Sequence, residues 1–178
     1  MLWRYDAGVN VRGTRMTHDE VIARFVADRA VFDAKVGAIL PEHLSEVPPG
    51  HDHSPRDIVF HVSAYEELIV ERLRSAREGE MTAFDRDRDG WEAFNDRVWA
   101  EAAEADPADV LDRARAVFGD LLQEVRGFSD PELTEGTGIT EHIDPAWLDG
   151  RTLAELIALD GFDHYRMHHA ALEAAATG

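Results

Sequence analysis

Two histidines one helical turn apart, His164 and His168, are the residues of this sequence best placed to do chemistry. Side chains four positions apart on a helix point about 40° from each other and can grip one ion from one side. With nine histidines in the chain, composition alone produces such a pair roughly two times in five, so the spacing is not a signature. Position adds what spacing lacks. Both histidines continue the apolar stripe of the closing segment (Leu153, Leu156, Ile157, Tyr165, Ala171, Leu172), where a bare imidazole needs a hydrogen-bond partner or a metal. His61 is the natural third ligand, because it lies on the stripe of another segment, with Ile58, Val62, Tyr65, Leu68, Ile69 and Leu73. Three neutral imidazoles that leave a position open are the pattern of a catalytic or substrate-binding metal site, whereas a closed structural site normally has four protein ligands. All-nitrogen ligation admits zinc, nickel, iron, cobalt or copper, with zinc or nickel expected first, and disfavours magnesium and calcium. Glu66, Asp160 and Asp163 are candidate acceptors for the second N–H of a ligand imidazole, with Tyr65 one turn from His61. The alternative stays open: the same three histidines could be core residues bonded to carbonyls or to Asp160, Asp163 or Glu66.

The elements that must position these residues read as helices. Thr17-His18-Asp19-Glu20 is a capping box, followed by Ile22, Phe25, Val26, Phe32, Val36, Ile39 and Leu40 at helical spacing up to Pro41. Ser54-Pro55-Arg56-Asp57 starts a second helix, which runs to about Arg77 and carries His61. Glu80 to Gly90 reads as a solvated loop. Trp91, Phe94 and Val98 mark a helical segment, and Asp106-Pro107 opens another helix with Val110, Leu111, Ala114, Val117, Phe118, Leu121 and Val125 on its buried side. Gly127 to Gly150 reads as a long loop. Thr152-Leu153-Ala154-Glu155 is a third capping box, from which one last helix is expected almost to the end. The fold class that follows is all-α, an antiparallel-type four-helix bundle with a long loop before the last helix.

A length of 178 residues favours one domain, taken as 17–176 after a ragged leader at 1–16; translation from Met16 instead of Met1 is an alternative. Cysteine is absent, which excludes a thiolate nucleophile of the chain's own and any cysteine-based metal cluster. The N-terminus lacks the apolar core of a secretory signal and nothing resembles a membrane span, so a cytoplasmic location is expected. The formal net charge of −18 repels phosphate backbones and anionic headgroups, so neither nucleic acid nor membrane is expected as a partner. Arg72 reads as a surface residue. His51-x-His53 is a second possible metal pair, but in a loop where histidines are usually exposed, and Trp91, Trp99 and Trp147 read as core.

The run Ser54-Pro55-Arg56-Asp57-Ile58-Val59-Phe60-His61-Val62 with Tyr65-Glu66, together with the closing Asp163-His164-Tyr165-Arg166-Met167-His168-His169, resembles the DinB-like superfamily from roughly Thr17 to Ala175. The resemblance implies a four-helix bundle, often a homodimer, with a divalent metal on His61, His164 and His168. It also implies an enzyme using a low-molecular-weight thiol such as mycothiol on a small-molecule substrate, as an S-transferase or as a hydrolase in detoxification. This chain lacks the extra C-terminal domain of the mycothiol-dependent maleylpyruvate isomerases, which counts against that activity. A neighbouring ClbS-like branch implies the alternative of a protein that protects against a reactive metabolite without essential metal.

Overall fold

The computed structural model describes residues 16–86, 90–135, 138–143 and 151–177. Most of the expected leader, Trp147 and positions 144–150 of the expected loop lie outside the described residues.

Each long helix starts where its cap chemistry says it should. Helix α1, His18–Gly37, is opened by Thr17, whose hydroxyl accepts from the Glu20 amide at 3.3 Å while the Thr17 amide donates to the Glu20 carboxylate at 2.7 Å. Helix α2, Pro55–Arg77, has the same reciprocal pair between Ser54 and Asp57, with Pro55 at the first helical position. After α3 (Ala83–Arg86) and α4 (Gly90–Glu104), Asp106 caps α5, Pro107–Arg126, by accepting from the Ala108 amide at 2.8 Å. A short α6, Asp130–Thr134, follows. The closing helix comes in four parts: α7 (Leu153–Ile157), a π-helical turn (Ala158–Phe162), α8 (Asp163–Met167) and α9 (His169–Thr177). No strand occurs among the described residues.

The result is an all-α bundle built from α1, α2, α5 and the closing helix, with α4 laid along α2. Helix α2 is the central member, packed on α4, α5 and the π-helical turn, so Ile58 through Ala64 are buried on every side. Helix α1 packs on α5 and on the closing helix through Phe25 and Phe32, which meet Phe118, Phe162 and Tyr165 with ring centroids 5.4–5.9 Å apart. No helix among the described residues is long and apolar enough to cross a membrane.

Several expectations need correction: α6 and a 3-10 turn at Gly138–His142 interrupt the loop expected from Gly127 to Gly150, and Trp91, read as core, is 43% exposed. The stretch from Glu80 to Gly90 contains a helical turn, α3, because the Thr82 hydroxyl accepts from the Asp85 amide and Asp85 is drawn inward by a buried arginine. That arginine is Arg72, which is 4% exposed and not a surface residue. Its guanidinium donates to Asp85 at 2.8–3.1 Å and to Asp160 at 2.7 Å, so two carboxylates compensate its burial. The closing helix is also not continuous. At Gly161 the backbone turns to φ −108°, ψ −105°, and the glycine lies so close to Phe25 that a Cβ would sit 2.3 Å from Cε2 of the ring.

Candidate functional site

His61 sits two turns into α2, and His164 and His168 follow the π-helical turn, which sets the angle at which they face α2. The three rings converge through their Nε2 atoms. His61 Nε2 and His168 Nε2 each lie 3.1 Å from His164 Nε2, and one nitrogen from each ring falls within 4.8 Å of the others. His61 and His164 are buried and His168 is partly exposed. A metal held at about 2.0–2.1 Å by each nitrogen would put two of them about 3.3 Å apart in a tetrahedron and about 2.9 Å apart at right angles. The observed separations lie between these.

Hydrogen bonding alone leaves this cluster short of partners. The middle nitrogen, His164 Nε2, carries either one proton or one lone pair, yet it faces two equivalent nitrogens. The buried Nδ1 atoms of His61 and His164 have no hydrogen-bond partner among the described residues either. Burial pushes all three imidazoles below their ordinary range, His164 to about 4, and for His61 and His168 the neighbouring histidines push the same way. The Asp160 carbonyl exerts a smaller upward pull on His164 without meeting hydrogen-bond geometry. Neutral imidazole is the form that ligates metal, so the donor set fits a divalent transition ion.

The carboxylates expected to support the ligand rings are engaged elsewhere. Glu66 lies five residues beyond His61, about 140° around α2. There it accepts from Arg29 at 2.6 Å and from the Tyr165 hydroxyl. Arg29 also donates to Asp33 at 2.8 Å and to the Ala114 carbonyl at 3.1 Å, which knits α1, α2, α5 and α8 together. The Asp160 carboxylate belongs to Arg72, and Asp163 accepts from Arg166 at 3.4 Å. Tyr65 does border the cluster: its ring lies 4.9 Å from that of His61 and 4.7 Å from that of His164, and its hydroxyl donates to Asn95 at 3.1 Å. Burial, with Asp160 nearby, pushes the Tyr65 hydroxyl up to about 12, so it keeps its proton.

Sequence reasoning missed what α4 brings. Phe94 meets Tyr65 edge-on, and Trp99 lies flat on His61, centroids 4.0 Å apart and 10° from parallel. His53 stacks on Trp99 as well, at 3.7 Å and 9°. It therefore stands beside the three-histidine cluster as an aromatic neighbour, while no second group of candidate metal ligands is found among the described residues. The one available signal was the spacing of Asn95 and Trp99, four residues apart on a helix already expected.

Comparison with known proteins agrees with the fold. A family model described as the DinB superfamily matches residues 24–171. None of the curated proteins matches the chain in sequence. Among solved structures, an uncharacterised protein from Escherichia coli UTI89 superposes with a TM-score of 0.74 at 15% identity, covering 90% of this chain and 93% of that one. A protein from Streptococcus pneumoniae gives 0.75 at 11% identity, with 92% of each chain covered. The colibactin self-resistance protein ClbS, solved in complex with double-stranded DNA, gives 0.72 at 15% identity, with 90% and 95% covered. At these identities the likeness is one of fold. It nevertheless corrects the expectation that nucleic acid is excluded, since a relative of the same fold holds duplex DNA. The expectation rested on net charge, which sums over the whole molecule and does not describe any one face.

Proposed function

The chain belongs to the DinB superfamily, and from that premise we propose that His61, His164 and His168 hold a divalent transition metal, zinc or nickel. At this site a low-molecular-weight thiol or a water attacks an electrophilic small molecule, in S-transfer or hydrolytic detoxification. The observation that carries the proposal is His164 Nε2, buried and facing two further imidazole nitrogens at 3.1 Å, an arrangement that one ion satisfies and hydrogen bonds do not. When bound, the ion would supply a Lewis acid that lowers the pKa of a thiol or water at its open position. The protein's own residues do the rest. Trp99 lies on the ring of His61 and Tyr65 on the edges of His61 and His164, and the Tyr65 hydroxyl stays protonated and bonded to Asn95. The Arg72–Asp160 pair ties α2 to the π-helical turn that precedes His164.

The test is elemental mass spectrometry on the purified chain beside His164→Ala/His168→Ala. The expected result is near-stoichiometric metal in the parent and none in the variant. A folded parent that neither carries metal nor takes up added zinc or nickel overturns the proposal. A second reading, protection against a reactive metabolite without essential metal, is favoured by the likeness to ClbS, and DNA enters that reading as a partner to be assayed. Protection that survives loss of all three histidines would select it.

A further inference from the structure

We infer that Trp99 is the positioning residue of the three-histidine site, and that it orients His61 by ring stacking in place of the usual hydrogen bond to Nδ1. The inference rests on the metal reading above and adds to it how the ligand is held. Metal-ligating histidines ordinarily donate the second ring N–H to a carboxylate, a carbonyl or water, which fixes the plane of the ring. Among the described residues His61 has no such partner: its Nδ1 is buried and unbonded, Asp57 one turn earlier serves Ser54 and Arg56, and Glu66 and Asp160 serve Arg29 and Arg72. What His61 has is a flat indole on its face, 4.0 Å away and 10° from parallel.

The indole is itself held on its other side. His53 lies 3.7 Å from the Trp99 centroid and 9° from parallel, and two rings this close to one indole cannot share a face without overlapping. Trp99 is therefore clamped between His53, from the segment before α2, and His61, inside α2. Tyr65, bonded to Asn95 on α4, closes the edges of His61 and His164. The plane of His61 is thus set by α4 and by the approach to α2.

The experiment is zinc titration of the metal-stripped full chain, read as affinity by competition with a chromophoric chelator, with folding of each variant checked by circular dichroism. Trp99→Leu keeps an apolar side chain and removes the ring, and it should weaken zinc binding about 10- to 100-fold, the usual effect of losing a ligand's orienting partner. Trp99→Phe keeps a ring and should stay within roughly threefold of the parent. His53→Ala loosens the clamp from outside the cluster and should weaken binding roughly two- to tenfold, so a Trp99→Leu chain that does not fold still leaves a test. Folded Trp99→Leu with parental affinity overturns the inference, and so does parental affinity in His53→Ala if Trp99→Leu is unfolded. A parent whose zinc affinity is unchanged by His164→Ala overturns the metal reading itself, a result visible before any Trp99 variant is made.

Discussion

At His164 two requirements meet. The ring is buried, so it must stay neutral, and its Nε2 faces two other imidazoles, so it needs something those rings cannot both provide. Without metal the first requirement dominates and makes the fold acid-sensitive. The folded pKa of His164 is held near 4 by burial, below the ordinary value of 6.5. The unfolded chain therefore takes up a proton at pH values where the folded chain does not. Stability linked to this residue is fully present above about pH 6.5 and falls as pH drops towards about 4, by an amount on the order of 3 kcal/mol. His61 and His168 shift in the same direction and add to the fall. Glu66 and Asp160, whose carboxyls burial raises, act in the opposite direction but do so equally in parent and variant. Urea denaturation of the metal-stripped protein from pH 7.5 to 5 should show a shallower loss of stability in His164→Gln than in the parent. Equal slopes would mean that the His164 ring is not held neutral by its surroundings.

At the scale of elements, the closing helix depends on Gly161. Gly161→Ala drives a methyl into the fully buried ring of Phe25 and should cost about 1–3 kcal/mol in urea denaturation, with part recovered by Phe25→Leu in the same chain. Non-additive recovery is the sign that the contact causes the cost, and no recovery would locate the cost elsewhere. Arg72→Met should be worse, about 3–5 kcal/mol, because it strands two buried carboxylates, Asp85 and Asp160, without their shared cation. A change under 1 kcal/mol on thermal melting would count against that buried network. These two sites also show where reading the sequence stops. The starts at Thr17, Ser54, Asp106 and Thr152 are local chemistry, a side chain and an amide within three residues, and they were readable in full. The stripe carrying His61, His164 and His168 was readable as well, since periodicity encodes which face is buried. The break at Gly161 was not, because the ring that Gly161 packs against, Phe25, is far away in the chain. The burial of Arg72 and the stack of His53 and Trp99 on His61 depend on contacts between segments that no spacing rule joins.

For the whole molecule, a site shared by α2 and the closing helix makes metal affinity a part of folding stability. An ion that binds the folded chain and not the unfolded one stabilises it by about 2.7 kcal/mol at one hundred times its dissociation constant. For a chain of this size each kcal/mol moves the melting temperature by roughly 2–4 °C, so zinc should raise it by about 5–10 °C. A net charge of −18 raises the concentration of divalent cations near the chain as a whole, and the association rate of zinc should fall as salt is added. Differential scanning fluorimetry of the metal-stripped chain with and without zinc reads the shift directly. Chelator should reverse it, and His61→Ala should abolish it, because α2 then contributes no ligand to the span. A shift of the same size in His61→Ala would mean that zinc stabilises the fold from some other place, and the convergence of the three rings would then be a feature of packing alone.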